Sequence, residues 1–146
     1  MIAVDTNVLI YAHREELPQH RQALAWLRHL AEGPVPWALP VFCLGEFIRV
    51  VTHPRIFDPP SPLDLALAAL DTLLQSPTLR VLFPGPRYAA FFCQCVLEAD
   101  ARGNLAFDAQ IAAVCKEQGA SILLTLDRDF ARFSGLTLLT LDDTPR

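Results

Sequence analysis

The chain has 146 residues, of which 52% are hydrophobic, enough for one substantial core but short for two, so a single domain over residues 1–146 is expected. A net charge of −4 excludes the broad basic footprint typical of a nucleic-acid-binding module. Eleven of the twelve basic residues are arginine, with Lys116 the one lysine, which suits bidentate phosphate contacts as well as it suits a compositional bias.

In chain order, Met1 to Val4 is a short apolar run ending at Asp5, and from Asn7 to Arg14 the spacing turns helical, so a strand leads straight into a helix. A second helix is predicted over Gln19 to Glu32, with Ala23, Leu24, Leu27 and Leu30 on one face and Gly33-Pro34 as its stop. Pro36 to Leu39 reads as a brief strand before Pro40, and Val41 to Thr52 as a strongly apolar helix closed by Pro54. After the loop Asp58-Pro59-Pro60-Ser61-Pro62 come a helix over Leu63 to Leu74 and a strand over Leu79 to Phe83. Helices over Tyr88 to Ala101 and Phe107 to Gln118 follow, separated by Gly103-Asn104, with Gly119 as the second one's C-terminal cap. The remainder reads as a strand at Ile122 to Leu124, a short helix over Asp127 to Phe133, a turn at Gly135 and a last strand over Leu136 to Leu141. Short unbroken apolar strands alternating with longer amphipathic helices define a three-layer α/β/α fold around a central, mostly parallel sheet.

Cys43, Cys93, Cys95 and Cys115 follow neither a zinc-ligand nor a disulfide pattern and read as buried free thiols of a cytoplasmic protein. The apolar N-terminal run carries Asp5 and Asn7 and has no basic leader, so it is not expected to be a signal peptide, and no stretch reaches the ~18 apolar residues of a membrane span. His13, His20, His29 and His53 lack metal-ligand spacing, and Trp26, Trp37 and the phenylalanines are assigned to core or partner-facing positions before base stacking.

The anomaly is one carboxylate in each of the most apolar segments: Asp5, Glu46 and Asp108. Singly, each reads as a cap or an exposed position, as does Asp127 before Arg128. Together they point to a site, because ligands of parallel sheets collect beyond the carboxyl ends of the strands, where Asp5 and Asp127 are expected. Four carboxylates in one cleft resist ionisation unless a divalent cation holds them, and an oxygen-only donor set favours Mg²⁺ or Mn²⁺ over Zn²⁺. The acidic excess of four is then the site itself.

Asp5-Thr6-Asn7-Val8-Leu9, Glu46 in an apolar helix, Asn104-Leu105 ahead of Asp108-Ala109, and Leu124-Thr125-Leu126-Asp127-Arg128-Asp129-Phe130 resemble the signature of the PIN-domain nucleases. The short length is similar to that of VapC-type toxins of bacterial toxin-antitoxin pairs. The resemblance implies a PIN-like fold and a metal-dependent endoribonuclease with Asp5, Glu46, Asp108 and Asp127 as acidic ligands, directly or through water. Thr6, Asn7 and Thr125 would support them. Of the two carboxylates in the last motif Asp127 is assigned first, being nearer the strand end, and Asp129 is either a further ligand or the cap of the short helix. An RNA substrate, single-stranded or looped, a small antitoxin laid into a groove between helices, and a homodimer are also implied. Arg14, Arg49, Arg87, Arg102 and Arg128 are candidates for flanking phosphates, with a solvated helix face as the default for each. Two rivals stand beside this reading. A phosphoryl-transfer enzyme using Asp5 as nucleophile is disfavoured by Asn7, where a second aspartate is usual, and a catalytically silent PIN scaffold that only binds protein or RNA is disfavoured by the full carboxylate set.

Overall fold

The computed structural model describes residues 1–145. Its five strands are β1 (Ile2–Val4), β2 (Trp37–Pro40), β3 (Leu79–Leu82), β4 (Ile122–Leu124) and β5 (Thr137–Leu139). Six α-helices connect them: α1 (Thr6–His13), α2 (His20–Glu32), α3 (Phe42–Val51), α4 (Leu63–Leu74), α5 (Tyr88–Ala99) and α6 (Leu105–Glu117), with a 3₁₀ turn at Arg128–Arg132 before β5. The strand order is β3-β2-β1-β4-β5 and every pairing is parallel, so the sheet expected to be mostly parallel is wholly so.

The central strands β1, β2 and β4 are buried on both faces, with no exposed surface at Ala3, Val4, Trp37, Ala38, Leu39, Leu123 and Leu124, whereas the edge strands β3 and β5 expose Arg80 and Thr137. The connections from β1 through β2 to β3 run one way along the sheet and the return from β3 to β4 runs the other way. Right-handed crossovers therefore put α1 to α4 on one face and α5 and α6 on the opposite face. The reversal falls beside β1, which makes the carboxyl ends of β1 and β4 the topological switch point of the sheet.

Helix faces follow from spacing. In α2 the buried set is Ala23, Trp26, Leu27 and Leu30, at i, i+3, i+4 and i+7, so Trp26 takes the core position expected for Leu24, which is only partly covered. In α6 the whole run Ile111 to Cys115 is buried, with small Ala112 and Ala113 allowing a close approach to neighbours. Trp37 and Val41 both direct their N–H groups to β3, onto Thr78 and Leu82 carbonyls, so residue 40 turns its nitrogen toward β1. A proline fits there: β1 ends at Val4, whose carbonyl instead faces Cys43 Sγ at 3.9 Å. Pro40 is thus the last residue of β2 rather than the residue after it.

Two helix bounds differ from the sequence reading by two residues, the others by one or none. Helix α5 stops at Ala99 because Asp100 takes a left-handed conformation (φ 47°), and the Ala101 N–H closes back on the Val96 carbonyl. Helix α6 begins at Leu105 rather than Phe107, which places Asp108 within its first turn. Gly119 caps α6 as expected, at φ 78° with Ala120 N–H on the Cys115 carbonyl. Cys93 is exposed, unlike the other three free thiols.

Candidate functional site

Asp5 follows β1 directly and caps α1, so its position is set by the strand end and the helix start together. It is 5% exposed. Its backbone N–H bonds the Leu124 carbonyl at 3.0 Å, which stitches β1 to β4 at the switch point. Both carboxylate oxygens are engaged: Oδ1 accepts from Thr6 N–H at 2.7 Å and Oδ2 from the Thr125 hydroxyl at 2.7 Å. Thr125 then accepts from Asp127 N–H through the same hydroxyl oxygen at 3.0 Å. One buried threonine therefore fixes the Asp5 carboxylate and the backbone of Asp127 at once.

Asp127, and not Asp129, caps the 3₁₀ turn, its Oδ1 accepting from Asp129 N–H at 2.9 Å. That cap turns the chain so that carboxylate oxygens of Asp108, Asp127 and Asp129 come within 4.8 Å of one another. Asp108, Asp127 and Asp129 line a cleft of 730 Å³ together with Glu46 from α3. Burial grades across the set: Asp5 is buried and does not line the cleft, reaching it through its charge on Asp108, while Glu46, Asp108 and Asp127 are half-buried and Asp129 is exposed.

No cation pairs with any of these five carboxylates among the described residues. The electrostatic result is visible in two of them. Burial raises the Asp5 carboxyl to about 6 against the opposing hydrogen bonds of Thr125 and Thr6, and the charges of Glu46 and Asp127 push the same way. Asp108 rises to about 7, first through burial and then through Asp127, Asp5, Glu46 and Asp129. An uncompensated, all-oxygen cluster of this kind has the donor chemistry for a hard divalent cation, which would remove the repulsion that raises Asp108. Support from Thr125 is a direct contact, whereas Thr6 contributes its backbone N–H and its side-chain oxygen is buried without a hydrogen bond. Asn7 Oδ1 is likewise buried with no protein partner among the described residues.

Of the five arginines singled out from the sequence, Arg49 alone lines this cleft. Arg14 is tied to Ser61, Pro59 and Glu16, Arg102 pairs with Asp100 on the surface, Arg87 lies over Phe91, and Arg128 lines a neighbouring pocket beside Asp127. Gln110, which the sequence reading passed over, and Phe107, which it assigned with the other phenylalanines to core or partner-facing positions, also line the cleft. Trp26 and Trp37 are core residues, as expected.

The fold is a wholly parallel α/β sheet with an acidic site at its switch point, and residues 2–136 match the PIN domain model, so the chain belongs to the PIN-domain family. Its relatives within that family are VapC ribonucleases. It is 44% identical to Ribonuclease VapC43 of Mycobacterium tuberculosis over 137 residues, covering 93% of this chain and 92% of that protein. Ribonuclease VapC25 of the same organism is 36% identical over 136 residues, covering 93% and 95%. Among solved structures the chain resembles VapBC2 from Rickettsia felis bound to a fragment of its promoter DNA, with a TM-score of 0.71 at 21% identity over 96% of this chain and 98% of that one. It also resembles the Sarcin-Ricin loop cleaving toxin VapC20 of Mycobacterium tuberculosis, with a TM-score of 0.67 at 21% identity over 93% and 98%.

Proposed function

We propose that this chain is a divalent-metal-dependent endoribonuclease and the toxin member of a toxin-antitoxin pair. The observation that carries the reading is the set of five carboxylates gathered at the switch point with no cation of the protein's own, among the described residues, to balance them. Relatives named as ribonucleases over nine-tenths of the chain supply the substrate class.

Asp5, Glu46, Asp108 and Asp127 would hold the cation, Mg²⁺ or Mn²⁺, with Asp129 adding a further oxygen at the rim. When bound, that cation supplies an activated water and neutralises charge on the scissile phosphate. The Thr125 hydroxyl holds one oxygen of the Asp5 carboxylate and the Thr6 N–H holds the other. Among the described residues no serine, cysteine or histidine lines the cleft, so no side-chain nucleophile of those kinds is on hand for a covalent intermediate.

A separate groove supports the partner assignment. It is formed on the α1 to α4 face, with Leu9, Leu24, Leu27, Phe47 and Leu73 as an apolar floor and His13, His20, Arg28 and Glu32 around it. An apolar segment of an antitoxin fits such a floor, and structural neighbours include VapBC complexes. We extend the proposal to a homodimer acting in the cytoplasm; no described helix is long and apolar enough to cross a membrane.

The test is cleavage of end-labelled RNA by wild type, Asp5→Ala and Asp108→Ala with Mg²⁺, Mn²⁺ or EDTA. Cleavage by wild type alone, abolished by EDTA, is expected. Equal activity in all three proteins, or none in any, refutes the catalytic reading, and RNA binding without cleavage favours the silent scaffold.

A further inference from the structure

The catalytic cleft carries one feature that a carboxylate site has no use for. Phe107 lies next to Asp108 on α6, lines the cleft, and is 58% exposed. Among the described residues it is the one large exposed hydrophobic there; the others, such as Leu65, Leu97 and Phe83, lie elsewhere on the surface. Its ring also stacks on no described aromatic, whereas Phe42 in the same cleft is packed against Tyr88 at 5.8 Å between ring centroids. An unpaired aromatic face beside a carboxylate is costly in water and gains most from another π surface.

Arg49 lines the same cleft from α3, three residues and so nearly one turn after Glu46. It is exposed, and no ion pair or hydrogen bond engages its guanidinium among the described residues, although five carboxylates share the site. Gly45, which precedes Glu46 and also lines the cleft, leaves its wall open, since a Cβ there would meet nothing within 4 Å. A flat ring, a free guanidinium and an open wall match the parts of a nucleotide: a base to stack, a phosphate to hold in bidentate fashion, and a sugar to pass.

We infer that Phe107 and Arg49 form a subsite for one unpaired nucleotide of the RNA next to the scissile bond, with Phe107 stacking its base and Arg49 holding its flanking phosphate. Gln110, three residues along α6 from Phe107 and also in the cleft, brings an amide within the same subsite for the base edge. A base in a duplex is stacked on both sides and cannot offer its face to Phe107, so the subsite selects single-stranded or looped RNA. It rests on the ribonuclease reading of the adjacent carboxylates and adds residues outside that cluster.

Cleavage sites are mapped on bacterial total RNA digested by wild type, and an oligoribonucleotide spanning one site is then prepared single-stranded, annealed to its complement, and with a single abasic residue at each position near the cut. Phe107→Ala is expected to raise KM for the single strand by about 5- to 100-fold with a smaller change in kcat, the range that loss of one base stack gives. Phe107→Trp should restore it and Phe107→Leu should not. One abasic position should cost wild type the same factor and cost Phe107→Ala nothing further. Arg49→Gln should lower kcat/KM and reduce the slope of log kcat/KM against log salt by about 0.7. With Phe107 exposed, all variants should keep the wild-type Tm. Unchanged KM in Phe107→Ala with intact wild-type cleavage overturns the subsite and leaves the nuclease standing. Equal cleavage of duplex and single strand also overturns it, and absence of wild-type cleavage removes both readings.

Discussion

Asp5→Asn replaces the most deeply buried carboxylate of the site by an amide of the same shape. In the metal-free folded protein the Asp5 carboxyl titrates at about 6 against 3.8 when unfolded, chiefly because it is buried. Between those values the native state holds a proton that the unfolded chain has released, so folding stability falls as pH rises through that window. A displacement of about two pKa units at 1.36 kcal/mol each amounts to about 3 kcal/mol, applied almost undiminished to a side chain that is 5% exposed. The amide has no such loss: its oxygen can keep the Thr6 N–H, and its NH₂ can donate to the Thr125 hydroxyl. Urea unfolding in EDTA at pH 4 and pH 7.5 reads the difference. The advantage of Asp5→Asn over wild type is expected to grow by about 2.5 kcal/mol from the lower to the higher pH, because the unfolded carboxyl is already partly ionised at pH 4, while RNA cleavage is lost. Parallel pH dependence in the two proteins would refute the view that the folded chain carries an uncompensated charge buried in its site.

Mn²⁺ at one hundred times its Kd should stabilise the protein at pH 8 by about 2.7 kcal/mol, a rise in Tm of about 5–10 °C, and the gain should shrink at pH 5.5 where protons compete for Asp5 and Asp108. Equal shifts at both pH values in calorimetry would contradict this. Because Asp108 titrates at about 7 in the metal-free protein, kcat/KM at limiting Mn²⁺ should fall as pH drops below 7, and raising Mn²⁺ should move that limb to lower pH. Thr125→Val removes the donor to Asp5 and the acceptor for Asp127 N–H, and should cost about 1–3 kcal/mol by denaturant unfolding together with at least tenfold in kcat, whereas Thr125→Ser should retain most of both.

Much of this architecture was legible in the residues because strands buried on both faces are written as short apolar runs, and Asp5 stands out at the end of one. The strand and helix order followed from that contrast alone. Where the reading slipped, a competing local preference decided. Asp100 ended α5 by adopting the left-handed conformation before Gly103 was reached, since aspartate tolerates it better than most residues. Pro40 joined β2 because the sheet has no partner for its missing N–H, a fact about β1's length rather than about proline. In the site, Asp127 ranks above Asp129 from its place nearer the strand end, but the sequence left the helix cap to Asp129, and the cap is Asp127. Their different duties came from the cap: Asp127 spends one oxygen on the turn and thereby brings Asp129 toward Asp108. Phe107 was hidden for the opposite reason, because an aromatic residue in an apolar helix is assigned inward by default, and only the placement of α6 against the cleft puts it outside.

The bond between the Thr125 hydroxyl and Asp5 joins residues 120 positions apart in the chain. During synthesis the Asp5 carboxylate is made 120 residues before the threonine that orients it. Asp108, Asp127 and β4 are equally late. A growing chain therefore carries Asp5 through that interval without the partner that orients it, and the site is complete only once β4 lies beside β1. For a protein proposed to cut RNA, the order of the chain thus ties a complete site to the arrival of β4.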